Sequence, residues 1–396
     1  MPSAESPLEP RSSLRRRLLR LFVIVPAVTL LLLEVAVRVV PIPAFDPLVL
    51  DPGRKLENAA NGPHPYLAYS LRPSWDGVRP NRSIPGAEMT IHHNALGFRG
   101  PEATWEKPEG RFRIVCVGGS STYGHTPSSD AATWPGRLEA RLREARPGLD
   151  VEVINCGNSG WNTFESLSNL AFRAVDLRPD LVLVYHSIND MRAALYQNPV
   201  RPDAQVQPDN THWRNTWMRE RASGLETLLE KSLAYQALRR YLTDFAEGRS
   251  NLYRYVIVDY DPKAGESYAA AEPSPRGFAN FQRNLVSMVA VARAHGARIA
   301  FATQANDWSD FGGMSDLSRS AQRDGMAHMT AILRSVAEDR NVLLVDAQEE
   351  LEQESARRRA EGGEEVFTHE VHLTDAGADL LAATWAQALL ASKLVP

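Results

Sequence analysis

The sequence predicts an α/β domain in which five parallel strands form one sheet between two layers of helices. Five short runs are almost wholly apolar, which is typical of strands buried on both faces. Helical runs lie between them, and a parallel pair of strands needs such a crossover. The expected strands are 112–117, 151–155, 181–186, 297–303 and 342–346, and the expected helices are 134–145, 163–175, 278–294, 318–337 and 375–392. We therefore expect a three-layer α/β/α domain of the flavodoxin-like class.

The composition is that of an ordinary globular protein, with 396 residues and a net charge of −4. This charge gives no support to a nucleic-acid partner, because such proteins carry a basic surface. Cys116 and Cys156 are the only cysteines, and they lie in apolar surroundings without the spacing of a metal site. We expect two small buried side chains, and a disulfide bond between them is the alternative. We expect neither a metal nor a cofactor.

The N-terminal segment has the pattern of a membrane anchor. An apolar run over 21–33 follows five arginines: Arg11, Arg15, Arg16, Arg17 and Arg20. Extended to residue 40, a helix of about 23 residues would be about 35 Å long, enough to span a bilayer. We expect a cytoplasmic basic tail over 1–17 and a transmembrane signal-anchor over 18–40. This single-pass topology places the rest of the chain in the periplasm or the extracellular space. A cleaved signal peptide and a buried helix are the alternatives.

Two further segments precede or interrupt the expected α/β domain, which spans 111–396. Residues 41–110 are rich in proline, glycine and asparagine, and we interpret them as a linker and a lead-in segment packed on the domain. A helical insertion over 192–276 follows the third strand. It emerges at the carboxyl edge of the sheet, where such folds bind ligands. This insertion has three interpretations: a lid or wall of the substrate site, a surface that binds a partner, or a decoration of the fold without a function of its own.

A glycine- and serine-rich turn follows the first expected strand, in the stretch RIVCVGGSSTYGHT over 113–126. A phosphate-binding P-loop needs a lysine where this sequence has His125, and a helix directly after the loop. The nucleophile elbow of ordinary α/β-hydrolases needs a second glycine where this sequence has Thr122. Neither template therefore explains the turn.

The turn and three later stretches resemble, in order, the motifs of the SGNH/GDSL hydrolase superfamily. VGGSSTYG over 117–124 is similar to the first motif, with Ser120 at the nucleophile and Gly119 in place of the family's aspartate. INCGNSGWNT over 154–163 and VLVYHSIND over 182–190 are similar to the second and third motifs. HEVHLTDAG over 369–377 is similar to the fifth. The resemblance covers 111–396 and leaves the first 110 residues unexplained.

The resemblance implies a serine esterase mechanism, and the chemistry of the residues agrees with it. Ser120 would be the nucleophile and His372 the base, because a serine hydroxyl is a poor nucleophile until a base takes its proton. The backbone N–H groups of Ser120 and Gly160 and the side-chain amide of Asn189 would form the oxyanion hole.

The sequence departs from the family pattern beside the base. His369 stands where the family has the aspartate that orients the catalytic histidine. A nearby carboxylate, Glu370 or else Asp375, is one replacement. A Ser–His dyad oriented by a backbone carbonyl is a second explanation, and it gives a slower enzyme or a transferase. The third is an inactive site that keeps its pocket.

These observations predict a membrane-tethered serine esterase. Its expected substrate is a small ester, such as an O-acetyl group on a cell-envelope or secreted glycan, or a lipid ester. The alternatives are a carbohydrate O-acyltransferase and a catalytically inactive envelope binding protein. Gln304, Asn306 and Asp307 follow the fourth strand at the same sheet edge and are candidate polar groups of the pocket.

Overall fold

The computed structural model of the chain describes residues 19–39, most of 60–195, isolated positions between 229 and 238, and residues 275–309 and 316–396. The helical insertion expected over 192–276 therefore lies mostly outside the described residues. The N-terminal helix and the α/β domain belong to separate compact units.

The described part of the N-terminal unit contains a turn of π-helix, Arg20–Ile24, that continues into helix α1, Val25–Val39. Glu34 and Arg38 form an ion pair one turn apart on this helix. Among the described residues, no helix is long and apolar enough to cross a membrane. The transmembrane signal-anchor expected over 18–40 is therefore not confirmed.

The α/β domain contains eleven described strands and eight described helices, in addition to a 3₁₀-helix at Ala174–Leu177. The strands are β1 (Asn61–Gly62), β2 (Ser70–Leu71), β3 (Trp75–Pro80), β4 (Glu88–His93), β5 (Phe112–Gly118), β6 (Val151–Asn155), β7 (Leu181–Tyr185), β8 (Arg298–Ala302), β9 (Leu343–Val345), β10 (Phe367–His369) and β11 (His372–Leu373). The helices are α2 (Ser120–Tyr123), α3 (Trp134–Ala145), α4 (Thr163–Phe172), α5 (Ile188–Leu195), α6 (Pro275–Ala294), α7 (Asp316–Asp339), α8 (Ala347–Glu361) and α9 (Asp375–Ala391).

The main sheet has five parallel strands in the order β6-β5-β7-β8-β9. The first strand of the sheet thus lies second in space, which is the flavodoxin-like order. Every residue of β5 and β7 is buried, as expected for central strands covered on both faces. The predicted five-stranded parallel sheet and its class are confirmed.

Helices cover both faces of this sheet. On one face, α3 and α9 pack together through the stacked rings of Trp134 and Trp385, whose centroids are 6.1 Å apart. On the other face, α4, α6 and α7 bury apolar side chains such as Leu170, Phe281 and Met329 against the strands. Burying apolar area on both faces is the main stabilising contribution of such a fold.

Some elements differ from the expected ones. The helix expected over 163–175 ends at Phe172 and is followed by the short 3₁₀-helix. Helix α8 was not expected, because its sequence is highly charged and buries only Ala347, Leu351 and Ser355. Apolar periodicity does not detect a helix of this kind, which instead carries ion pairs one turn apart.

The lead-in segment packs on the domain. Strands β3 and β4 form an antiparallel hairpin, and Met89 and Ile91 of this hairpin form an apolar cluster with Tyr123 of α2. The buried guanidinium of Arg99 donates to the carbonyl oxygens of Tyr123 and Gly124 and pairs with Asp130. The segment from residue 60 onward therefore supports the turn that holds Ser120, whereas residues 40–59 lie outside the described part of the chain.

Candidate active site

Ser120 begins the one-turn helix α2, directly after the central strand β5. The turn needs glycines because its surroundings leave no room for side chains. A Cβ atom at Gly118 would lie 1.9 Å from the hydroxyl oxygen of Thr122. One at Gly119 would lie 2.8 Å from Nδ2 of Asn189. The glycine that replaces the family's aspartate thus allows the serine turn and Asn189 to lie in contact.

His372 lies on a tight hairpin formed by β10 and β11. His369 and His372 are directly paired across this hairpin, and Glu370 and Val371 form its turn. Residues paired in this way project from the same face of the ladder with their side chains in contact. The spacing of three residues therefore places whatever residue stands at position 369 beside the ring of His372.

The structure brings Ser120, His372 and His369 into one chain of contacts. Nε2 of His372 lies 2.7 Å from Oγ of Ser120, and Nδ1 of His372 lies 3.1 Å from Nδ1 of His369. The two imidazole rings meet edge to face, with centroids 4.5 Å apart. The first distance is within reach for direct proton transfer from the serine hydroxyl.

Hydrogen bonds from other residues join the turn that holds Ser120 to the base hairpin, which is the hairpin of β10 and β11 that holds His372. The hydroxyl of Ser121 donates to the carbonyl of Val371 at 2.9 Å, and that of Thr126 donates to the carbonyl of Leu373 at 2.6 Å. The amide of Ser128 donates to Oδ1 of Asp375 at 2.7 Å. The carboxylate of Asp375 therefore binds Ser128, just after the turn that holds Ser120, and it does not replace the missing aspartate.

Of the two expected oxyanion donors besides Ser120, Gly160 lies in the loop after β6 and Asn189 lies in the first turn of helix α5. Gly160 has a φ of 79°, and a Cβ atom there would lie 2.5 Å from the hydroxyl of Tyr69. Nδ2 of Asn189 donates to the carbonyl oxygen of Trp161 at 2.8 Å. Because a primary amide carries two N–H groups, this bond fixes the amide and keeps its other N–H available to a ligand.

A buried polar network lies behind these donors. Asp190 accepts hydrogen bonds from the backbone N–H and the hydroxyl of Thr163, which joins the second motif to the third. Burial raises the pKa of Asp190 to about 7. Burial also lowers the pKa of His186 to about 3, and its ring bonds the hydroxyl of Ser166 at 2.7 Å. The network therefore holds a histidine that is neutral at physiological pH.

Glu370 does not have the role that its place next to His369 in the sequence predicts. Its side chain is only 1% exposed, and Oε2 lies 2.5 Å from Nη2 of Arg192. Its backbone has a φ of 40°, and its carbonyl oxygen accepts a hydrogen bond from the amide of Asp307. The interpretation of Glu370 as the carboxylate that orients His372 is thus corrected, because its charge is directed to Arg192 and helps to hold the hairpin turn.

Several residues of the site were not found from the sequence. The ring of His125 lies 5.3 Å from that of His372, and Tyr69 and Arg99 support the oxyanion loop and the serine turn. Tyr69 and Arg99 belong to the segment that the family resemblance does not cover. Gln304, which was expected only as a pocket group, accepts from the amide of Ile188 and donates to Ser121.

The described residues contain no candidate metal site. Within the described residues, no set of three or more His, Cys, Asp or Glu side chains is arranged to hold an ion. Cys116 and Cys156 are both buried and are not joined by a disulfide.

Residues 116–380 match the GDSL-like lipase/acylhydrolase family. The chain belongs to this family. It is therefore a hydrolase that acts on ester bonds, and its motifs are those of the SGNH/GDSL superfamily. No curated protein sequence matches the chain.

Solved structures with a similar fold are distant in sequence. An acetyl xylan esterase is 12% identical, with a TM-score of 0.42, and the match covers 70% of this chain and 100% of that one. An acetylxylan esterase from Geobacillus stearothermophilus is 15% identical, with a TM-score of 0.40, over 70% of this chain and 94% of that one. An α/β hydrolase from the metagenome of Lake Arreo, Spain, is 16% identical, with a TM-score of 0.39, over 72% and 97% of the two chains.

Proposed function

We propose that this GDSL hydrolase is a serine esterase that uses Ser120 as its nucleophile and His372 as its general base. The observation that carries the proposal is the distance of 2.7 Å between Nε2 of His372 and Oγ of Ser120. His372 takes the hydroxyl proton while Oγ attacks the ester carbonyl carbon. The protonated ring then gives that proton to the departing alcohol, and water releases the acyl group in a second round.

The negative charge that forms on the carbonyl oxygen needs donors already in place. We assign this role to the backbone N–H groups of Ser120 and Gly160 and to the side-chain amide of Asn189. The contact between Asn189 and Trp161 supports this assignment, because it holds the amide in one orientation before the substrate binds. Preorganised donors of this kind are usually the largest electrostatic contribution to catalysis.

The substrate and the location form the second part of the proposal. The arginines and the apolar run of the N-terminal segment support attachment to a membrane, with the domain outside the cytoplasm. In that compartment the substrate would be an acyl ester on a glycan or a lipid.

Turnover of simple esters tests the chemistry. The full chain in mild detergent should hydrolyse p-nitrophenyl acetate, and Ser120→Ala should reduce turnover to the background rate. Ser168→Ala is the matched control, since this hydroxyl donates to a carbonyl within its own helix. An acetate-to-decanoate series then separates a short-acyl glycan esterase, which prefers acetate, from a lipid esterase. A Ser120→Ala variant that keeps full turnover would exclude the proposed nucleophile.

Cell fractionation tests the location. We expect the chain in the membrane fraction after carbonate extraction, with the domain open to protease added from outside. Deletion of residues 1–40 from a chain given a cleavable signal should release the domain in soluble form. Recovery of the full chain in the cytosol would contradict this part of the proposal.

A further inference from the structure

His369 occupies the place beside the base where the family has a carboxylate. Its Nδ1 lies 3.1 Å from Nδ1 of His372, on the opposite side of that ring from Ser120. We propose that His369 acts as a neutral hydrogen-bond acceptor that orients His372, so that the relay is Ser120–His372–His369. This inference rests on the proposed function, and it names a residue that positions the base.

The tautomers of the two rings follow from the role of the base. For Nε2 of His372 to accept the proton of Ser120, the neutral ring must carry its own proton on Nδ1. That N–H then points at Nδ1 of His369, which has to offer a lone pair. His369 is therefore the Nε2–H tautomer in the active state. The neighbouring ring thus selects the tautomer of His372, as the aspartate does in other triads.

The proton moves without any charge on His369. The Oγ–H bond of Ser120 breaks, its proton forms a bond to Nε2 of His372, and Oγ forms a bond to the acyl carbon. The electron pair of the carbonyl π bond moves to the oxygen. His372 is now an imidazolium that donates from Nδ1 to His369. When the tetrahedral intermediate collapses, the proton on Nε2 leaves with the alcohol.

A neutral acceptor differs from a carboxylate in two measurable ways. A carboxylate would place a full negative charge beside the imidazolium form of His372, whereas a neutral imidazole stabilises that form only through one hydrogen bond. A proton on Nδ1 of His369 would also remove the acceptor and place a second cation beside the base. The relay therefore requires both rings to be neutral in the resting enzyme.

Other charged groups lie around this hairpin among the described residues. The ring of His125 lies 5.3 Å from that of His372, and the Glu370–Arg192 and Asp307–Arg359 pairs lie on the turn and on the segment bonded to it. Each of these carboxylates already faces an arginine. A pH effect that comes from His369 must therefore be shown by variants at position 369 itself.

Substitutions at 369 in the full chain test the proposal through pH profiles of kcat and KM for p-nitrophenyl acetate. His369→Asn keeps a neutral amide oxygen near the position of Nδ1 and should retain a higher kcat than a variant that has no acceptor there. His369→Leu has no acceptor and should lower kcat by at least about 100-fold with little change in KM, since loss of the oriented tautomer costs about 10⁴-fold in a serine protease triad that has a charged acid. His369→Asp should shift the acid limb of kcat upward by about one pH unit, because it adds a charge beside His372.

The outcomes separate this inference from the proposed function. Turnover that vanishes in Ser120→Ala, together with a kcat of His369→Leu within twofold of wild type, would overturn the role of His369 while leaving the serine mechanism in place. An unchanged acid limb in His369→Asp would also overturn it. Wild-type chain that does not turn over any ester would instead count against the proposed function. Thermal unfolding of each variant shows whether the fold is intact.

Discussion

The hydroxyl of Ser121 donates a hydrogen bond of 2.9 Å to the carbonyl oxygen of Val371, which is 250 positions away in the chain. Ser121 directly follows the proposed nucleophile, and Val371 directly precedes the proposed base. Gln304 donates to the same hydroxyl at 3.3 Å, and its Oε1 accepts from the amide of Ile188, the residue before Asn189. One small polar cluster thus joins the segments that carry the proposed nucleophile, the proposed base and the proposed oxyanion donor.

Removing the hydroxyl of Ser121 should lower both catalysis and stability. We expect Ser121→Ala to lower kcat by about tenfold, because small displacements of reacting groups are costly in rate. The free energy of unfolding should fall by about 2 kcal/mol, because the hydroxyl makes two hydrogen bonds that contribute about 1 kcal/mol each. Steady-state kinetics and urea unfolding measure the two effects. A wild-type kcat in Ser121→Ala would show that this contact does not position the site.

Asn189 should matter for the transition state more than for substrate binding. Asn189→Ala removes a donor aimed at the developing oxyanion, and we expect kcat to fall by about 100- to 1,000-fold with KM little changed. Asn189→Asp is the companion variant, in which a similar shape carries a charge that repels the oxyanion. A rise in KM with an unchanged kcat would contradict the assignment, because it would show that Asn189 contributes only to substrate binding.

Arg192 should stabilise the fold through Glu370. Arg192→Met leaves a buried carboxylate without its partner, and we expect a loss of about 3–5 kcal/mol in the free energy of unfolding. The double variant Arg192→Met/Glu370→Gly removes the charge and supplies a residue suited to the φ of 40° at that position. It should recover most of the stability in urea unfolding. Equal losses in the single and double variants would show that the ion pair is not the cause.

The buried ring of His186 should make stability depend on pH. Its pKa is lowered to about 3, so the folded state stays unprotonated while the unfolded chain binds a proton below pH 6.5. The stabilising contribution is therefore full above pH 6.5 and is lost as the pH falls. Between pH 7.5 and 5.5 the titration of His186 alone should lower the free energy of unfolding by about 1.4 kcal/mol.

A substitution at position 186 separates the contribution of His186 from those of the other titratable groups. Asp190, whose pKa is raised to about 7, acts in the opposite direction, because the folded state gains a proton as the pH falls. It is present in both wild type and His186→Asn, and its pKa is set by burial and by Thr163, so its effect largely cancels in the comparison. Urea unfolding at the two pH values should show that His186→Asn loses about 1.4 kcal/mol less than wild type. Identical losses of unfolding free energy in the two proteins would show that His186 does not cause this pH dependence.

The strands of the sheet were predictable because burial on both faces makes them nearly pure apolar runs. Strand β6 begins and ends at the expected residues, and helix α3 does as well. The glycines around Ser120 and the order of the motifs likewise located the residues that meet at the sheet edge. These features depend on local sequence pattern, which a single sequence contains.

Other features depend on contacts between distant segments. The charge of Glu370 suggested a partner for His372, but Arg192 lies opposite it once the third strand and the base hairpin meet. The contribution of Tyr69 and Arg99 depends on how the lead-in segment folds back onto the domain. Single polar residues in a proline-rich segment give no local signal of such contacts.

Covalent trapping tests the central claim, that Ser120 is activated by His372. The full chain is treated with a fluorophosphonate and the adduct is located by mass spectrometry of its peptides. We predict one adduct, on Ser120, with labelling retained in Ser121→Ala, abolished in Ser120→Ala and at least about 100-fold slower in His372→Gln. A folded wild-type chain that takes no label, or that takes it on Ser121, would contradict the account.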